Sequence, residues 1–186
     1  QVMAPMKRSD AGVYALNAVL QQAINPPAPE KPELRRGETV FREGDKVMQV
    51  KNNYDMGWTR GMEHGLGVFN GDIGTIVSID PKEDQIHVLF DDREVVYEPE
   101  MLSELELAYA ITAHKSQGSE YRAVILSLNP VAQMLLTRGV LYTAVTRAKE
   151  LLIMVGDDSV AHRMIDNHKQ SRRYSALRIR LADENT

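Results

Sequence analysis

The sequence predicts an α/β fold, a parallel sheet with helices on both faces, interrupted by a small β-barrel. Three observations carry this reading. Short, largely unbroken apolar runs stand near both ends of the chain, as expected of strands buried on both faces of a parallel sheet. Eight of the 12 glycines fall between Gly37 and Gly74, where they fit tight turns between short strands. Charge divides along the same line: residues 37–104 hold 15 acidic and 6 basic residues, net −9, and the remainder holds 11 acidic and 16 basic, net +5.

Taken in order, Gln1-Val-Met-Ala-Pro5 reads as a short strand ended by proline, followed by a polar turn through Gly12. Val13, Leu16, Val19 and Leu20 recur at helical spacing, with Ser9 or Asp10 as the expected cap. The helix stops before Pro26-Pro27, and Pro29 and Pro32 extend a stiff connector. Strands are expected at 46–51, 74–79, 85–90 and 94–97, with turns at Asn70-Gly71 and around Pro81. Beyond Leu105 the α/β grammar returns. Strands are expected at 107–111, 123–128 and 151–155, a helix at 131–149 between the last two, and helices at 159–169 and 172–181. The domain division expected is thus 1–36, 37–105 and 106–186. A barrel of roughly 65 residues is near the lower limit for a self-supporting core, so it should lean on the flanking frame.

The chain has 186 residues, 43% of them hydrophobic and 26% charged, the profile of a globular protein. No run approaches the roughly 18 apolar residues of a membrane span, and no signal-peptide pattern opens the sequence. Cysteine is absent, which excludes disulfides and thiolate metal sites and is compatible with a reducing, cytoplasmic setting. His162 and His168 are not at a metal-binding spacing, and no metal site is expected. The net charge of −4 hides a basic frame around an acidic middle, so phosphate contacts are expected on the frame.

Two stretches carry chemistry. In Thr112-Ala-His-Lys-Ser-Gln-Gly-Ser-Glu120, an apolar strand delivers a polar turn to the carboxyl edge of the sheet, where open α/β folds bind ligands. Thr112, His114, Lys115 and Ser116 are short donors suited to the phosphates of a nucleic-acid strand. Gly118 permits close approach of a phosphate, and Glu120 can accept from a sugar hydroxyl. The bland alternative is a strand-to-helix turn with a capping serine. In Leu141-Tyr-Thr-Ala-Val-Thr-Arg147-Ala-Lys149, Arg147 supplies a guanidinium of the kind that offsets negative charge on a transferring phosphoryl group. Its bland alternative is an ion pair with Glu150 or Asp157. No Gly-x-x-x-x-Gly-Lys-Ser/Thr phosphate loop occurs in the 186 residues.

These two stretches in this order, with Gln1-Val-Met-Ala-Pro-Met-Lys-Arg8, Phe69-Asn-Gly-Asp-Ile-Gly74 and Arg172-Arg-Tyr-Ser-Ala-Leu177, resemble the C-terminal part of the RecD-like superfamily 1 DNA helicases. The resemblance implies a RecA-like motor domain interrupted by an SH3-like barrel that helps to hold single-stranded DNA, with 5′ to 3′ movement driven by ATP bound between two RecA-like domains. It makes Arg147 the arginine finger, puts Gly118 near the terminal phosphate and Glu120 near the ribose, and brings Thr112 and His114 to the DNA backbone. Arg8 approaches the phosphates, with Lys7 as its competitor. Tyr142 is as well explained by packing. ATP and Mg²⁺ are the implied cofactors, with the metal ligands outside this chain. The implied partners are single-stranded DNA, the missing N-terminal RecA-like domain and a nuclease complex. Without the phosphate loop the chain is expected to be inactive alone. A Pif1-like or conjugative relaxase-helicase fragment is the alternative enzyme, and an SH3-like nucleic-acid or protein-binding module the alternative without activity.

Two further segments are ambiguous. Met56 to Gly67 holds the single tryptophan, and Trp58 with Arg60 and His64 suits a finger for single-stranded DNA. Its four glycines favour a flexible hairpin tip instead. The basic run Arg163, Lys169, Arg172, Arg173, Arg178 and Arg180 reads as a solvated helix face or as a surface toward the missing domains.

Overall fold

The computed structural model describes residues 1–129 and 136–167. Strand β1 (Val2–Ala4) leads to helix α1 (Val13–Ile24), then to the hairpin of β2 (Glu33–Arg36) and β3 (Thr39–Arg42). Next come β4 (Lys46–Gln49), β5 (Asn53–Arg60), β6 (Glu63–Val68), β7 (Ile73–Asp80), β8 (Gln85–Phe90) and β9 (Arg93–Tyr97). A 3₁₀ turn (Met101–Glu104) precedes β10 (Leu105–Leu107), and β11 (Ala110–Thr112) and β12 (Tyr121–Leu128) follow. Helix α2 (Arg138–Val145), β13 (Ala148–Gly156) and α3 (Asp158–Asp166) complete the described chain.

Two large sheets organise these elements. The first is parallel, ordered β11-β1-β12-β13. The second is antiparallel, seven-stranded, and ordered β10-β4-β7-β8-β9-β5-β6. All strands of the second lie in sequence between β1 and β11 of the first. Val47, Met56, Val68, Ile76, Ile86, Val88, Phe90, Val95, Tyr97 and Leu105 share one core with Leu34 and Phe41 of the β2-β3 hairpin, which packs against the sheet. The parallel sheet packs α2 and α3 onto a separate core that includes Met3, Val124, Leu126, Val140, Ala144, Val160 and Met164. Met48 of β4 belongs to this second core, which joins the two units through packing.

Several expectations need correction. The apolar spacing in α1 is real, but the buried residues are Val13, Asn17 and Gln21, while Val19 and Ile24 are exposed. The inward face is polar because it has backbone to serve: Asn17 donates to the carbonyls of Leu107 and Ala110 and accepts from Ala110 N–H, completing the outer edge of β11. Neither Ser9 nor Asp10 caps the helix; Gly12 is the N-cap without a side-chain bond, and Val13 and Tyr14 N–H donate to the carbonyls of Met6 and Lys7. The strand expected at 107–111 is two strands. Leu105–Leu107 pairs with β4, whereas Ala110–Thr112 pairs with β1. The switch falls at Ala108 and Tyr109, whose carbonyls accept from the Gln1 side chain. The strand expected at 151–155 extends over Ala148–Gly156, yet Leu151, Ile153, Met154 and Val155 are exposed rather than buried on both faces. Of the helix expected at 131–149, α2 occupies only Arg138–Val145, so Arg147 lies in the turn after it. Residues 130–135, the helix expected at 172–181, His168 and the basic run from Lys169 onward lie outside the described residues.

The glycine-rich 56–67 segment lies in the β5-β6 hairpin, with Gly61 and Met62 at its turn. Trp58 is partly buried against the barrel core, with the Arg60 and Arg93 guanidinium groups 5.9 and 5.8 Å from its ring. Arg60 is also paired with Glu63 and Asp92. The ring lies directly over Gly65, where an added Cβ would stand 2.2 Å from Trp58 Cζ2. Gly65→Val should therefore cost about 1–3 kcal/mol through overpacking and displace the indole. Thermal melting and the fluorescence of the single tryptophan would register both effects.

Candidate nucleotide and nucleic-acid site

Thr112 ends β11 at the carboxyl edge of the parallel sheet, and residues 113–118 form a tight turn. The turn is internally bonded. Lys115 N–H and Ser116 N–H donate to the Thr112 carbonyl at 3.0 and 3.2 Å, and Ser119 N–H to the Ser116 carbonyl at 3.1 Å. Ser116 is fully buried, its hydroxyl donating to the Ala113 carbonyl at 2.7 Å. It therefore shapes the turn. His114, Gln117 and Gly118 are exposed. Gly118 has φ +87 with open space where a Cβ would be, a left-handed position that favours glycine and leaves room for a ligand.

From Gly118 the chain crosses to the amino end of β12, where Tyr121 lies opposite Ala148 of β13. Arg147 meets the loop here. Its Nη1 donates to the Ser119 carbonyl at 3.1 Å, Nε to the Thr143 carbonyl at 3.3 Å, and Nη2 to the Thr146 hydroxyl at 3.3 Å. All three acceptors are neutral. Among the described residues no carboxylate forms an ion pair with Arg147: Glu150 pairs with Arg122, and Asp157 caps α3 through Ser159 N–H. Glu120 is exposed and pairs with Lys149 at 3.0 Å, and this hydrogen bond and charge hold its carboxyl below the usual range.

Arg147, Ser119, Glu120 and Lys149 thus form one cluster at the amino ends of β12 and β13. Thr112 and His114 stand apart from it, toward the carboxyl edge. A cleft of about 250 Å³ runs beside the turn, lined by Ala113, His114, Thr137, Gly139, Val140 and Thr143. It connects the exposed imidazole to the helix that carries the Arg147 acceptor Thr143. A second cleft, about 310 Å³, separates Ser119, Glu120 and Tyr121 from Asp72, Asp91 and Arg93 of the barrel.

The β1-α1 turn divides its two cations. Lys7 grips both oxygens of Glu106 at 2.8 Å; burial opposes its charge, but this carboxylate lifts it above the ordinary lysine range. Arg8 is exposed and forms no ion pair with a described residue. Among the described residues no hydrogen bond or ion pair joins Arg8 to the Arg147 cluster.

Lys115 points to the barrel. Its ammonium donates to the Val50 carbonyl at 3.3 Å and to the Asn70 side chain. Burial, then the neighbouring Lys7 charge, lowers its pKa. A further polar centre joins the barrel to the frame. Asp45 is fully buried and accepts from Gln21 at 2.5 Å, Asn25 at 2.7 Å, Arg42 N–H at 2.8 Å and the Tyr109 hydroxyl at 2.9 Å. Burial and the Asp45 charge push the Tyr109 hydroxyl up to about 12. Neither Asn70 nor Asp45 stands out in the sequence by chemistry; Asn70 lies within a segment that carries the family resemblance.

Comparison with known proteins agrees with this architecture. Residues 16–90 match the SH3 domain of ATP-dependent RecD-like DNA helicases, and residues 107–155 match the UvrD-like helicase C-terminal domain. The ATP-dependent RecD2 DNA helicase of Deinococcus radiodurans is 32% identical over 97% of this chain. The RecBCD enzyme subunit RecD of Mycolicibacterium smegmatis is 35% identical over 64% of it. The chain spans only 23% of the first relative and 20% of the second. Among solved structures, a Pif1 helicase from work on DNA unwinding at forked double-stranded DNA aligns with 99% of this chain and 44% of its own, TM-score 0.59 and 19% identity. Bacteroides Pif1 bound to single-stranded DNA aligns with 99% of this chain and 45% of its own, TM-score 0.54 and 16% identity. At these identities the structural likeness concerns the fold.

Fold and matches together define a helicase C-terminal domain. The parallel sheet carries the UvrD-like portion, and the antiparallel sheet falls largely within the SH3-domain match. The chain is related to the RecD-like helicases, and its matches are to their SH3 domain and to the UvrD-like C-terminal domain.

Proposed function

We propose that this chain is the RecA-like C-terminal motor domain, with an SH3-like barrel at about 37–105, of an ATP-dependent 5′ to 3′ DNA helicase, and that it supplies one side of the nucleotide site and part of the single-stranded DNA track. The observation that carries the reading is Arg147, a cation with only neutral acceptors, beside an open left-handed glycine. Such a guanidinium has no carboxylate partner to give up when a phosphate arrives, whereas an arginine already paired with a carboxylate must exchange one anion for the other. These residues fit a phosphate-bearing nucleotide. ATP, when bound, supplies the phosphoryl group whose developing charge Arg147 offsets, with Gly118 allowing approach and Glu120 facing the ribose. Arg8 is available to the phosphates, whereas Lys7 is occupied by Glu106. Among the described residues no cluster of three or more His, Cys, Asp or Glu side chains could hold a metal ion, and Mg²⁺ is assigned to ligands on the other motor domain. On this reading the chain needs that domain, and its phosphate loop, for hydrolysis.

For DNA, Thr112 and His114 are the proposed backbone contacts. In the intact helicase, Thr112→Ala with His114→Ala should weaken single-stranded DNA binding while leaving its salt dependence near the wild-type slope, because the lost contacts are hydrogen bonds rather than lysine or arginine charges that release counterions. ATP affinity measured without DNA should be unchanged. An unchanged DNA isotherm would remove these residues from the track.

A further inference from the structure

We propose that Lys115 is a positioning residue that bolts the 113–118 turn to the barrel, so that the barrel sets how Thr112 and His114 are presented to DNA. This rests on the proposed DNA track and deepens it. Lysine in a polar turn beside a proposed phosphate track would ordinarily be assigned to phosphate. Here its ammonium is turned away and spent on two neutral acceptors of the barrel, the Val50 carbonyl and the Asn70 side chain.

Both ends of the bolt are seated in rigid turns. On the barrel side, Asn70 N–H donates to Asn52 Oδ1 at 2.9 Å, Phe69 N–H to Asp72 Oδ2 at 3.0 Å, and Gly71 N–H to the Gln49 carbonyl at 2.9 Å. Gln49 is itself fully buried, accepting from the Tyr97 hydroxyl and donating to Glu104. The backbone that carries the Asn70 side chain is therefore held in place. On the other side, the Ser116 hydroxyl donates to the Ala113 carbonyl and Lys115 N–H reaches the Thr112 hydroxyl, which locks the turn and leaves His114 exposed next to the bolted residue. At Gly71, an added Cβ would lie only 4.0 Å from the Lys115 carbonyl, so the two turns approach through backbone as well. Burial and the adjacent Lys7 lower the affinity of Lys115 for its proton, as befits an amine held among protein groups rather than extended into solvent.

The test separates bolt from phosphate contact by acting on its two ends. In the intact helicase, Lys115→Met, Asn70→Ala and the double variant are compared for DNA-stimulated ATP turnover at saturating DNA, for affinity to an oligothymidylate, and for the salt dependence of that affinity. The bolt predicts that either single change lowers kcat by about tenfold, since misplacement by an ångström can cost up to about 100-fold. The double variant should be no worse than either single one, because both remove the same interaction. The salt slope should stay at the wild-type value in all three, and Lys115→Arg, which keeps donors for both acceptors, should recover turnover. A loss of stability alone would move the melting temperature and leave kcat per folded molecule unchanged; that result overturns the proposal. So does a salt slope reduced by about 0.7 in Lys115→Met with Asn70→Ala unaffected, the mark of a lysine that had been neutralising a phosphate. If the wild-type helicase shows no DNA-stimulated turnover, the functional reading itself falls and the bolt with it. Normal wild-type turnover with normal variants refutes the bolt alone.

Discussion

Arg147→Ala in the intact helicase should lower DNA-stimulated ATP turnover by about 10³-fold or more, the range in which arginine fingers act. The fold should survive. The three bonds removed are to neutral oxygens, two of them backbone carbonyls, and a typical bond of this kind contributes about 1 kcal/mol. The turn after α2 keeps other ties, because Tyr121 N–H donates to the Arg147 carbonyl and Arg147 N–H to the Ala144 carbonyl. Arg147→Lys should recover little, since an ammonium cannot reproduce the planar fork that bridges Ser119 and Thr143. Steady-state hydrolysis at saturating DNA and ATP, with melting temperature as the control for folding, decides the matter. Turnover near wild type in a folded Arg147→Ala protein would sink the assignment.

Asp45→Ala should be among the most destabilising single changes in the chain. The carboxylate is fully buried and receives Gln21, Asn25, Arg42 N–H and the Tyr109 hydroxyl, so its removal strands four donors at once. A loss of about 3–5 kcal/mol follows from breaking a buried charged network. For a domain of this size that lowers the melting temperature by roughly 10 °C. Asp45→Asn is the sharper test. An asparagine keeps the shape but turns one acceptor into a donor that faces other donors, so it should recover only a minor part of the loss. Full recovery in Asp45→Asn would mean that shape, not charge and acceptor count, holds this junction.

The sheets and the chemical loop are legible in the sequence, but the contacts that join them are not. Strands β7, β8 and β12 can be read because their apolar residues alternate or run unbroken between turns. The loop at 112–120 and Arg147 can be read because each belongs to a contiguous stretch of unusual residue types. Helix α1 shows what periodicity alone cannot decide. Its apolar residues keep helical spacing, yet Asn17 and Gln21 are the side chains that turn inward, because the backbone of β11 and the Asp45 carboxylate need partners there. The β5-β6 hairpin is obscured by its glycines, although Gly65 is present because Trp58 occupies the space above it. Lys115 reads as a DNA contact since nothing local signals an acceptor 45 residues away. Long-range hydrogen bonds between polar side chains leave no periodic trace, and here they make up much of the junction between barrel and frame.

The Asp45 junction also bears on how this chain can be re-engineered. Asn25, where the chain leaves α1, and Tyr109, where it re-enters the parallel sheet, both donate to the same carboxylate oxygen. Departure and return are therefore side by side. A change in the length of the segment between them should leave its two ends, and the strands beneath, where they are.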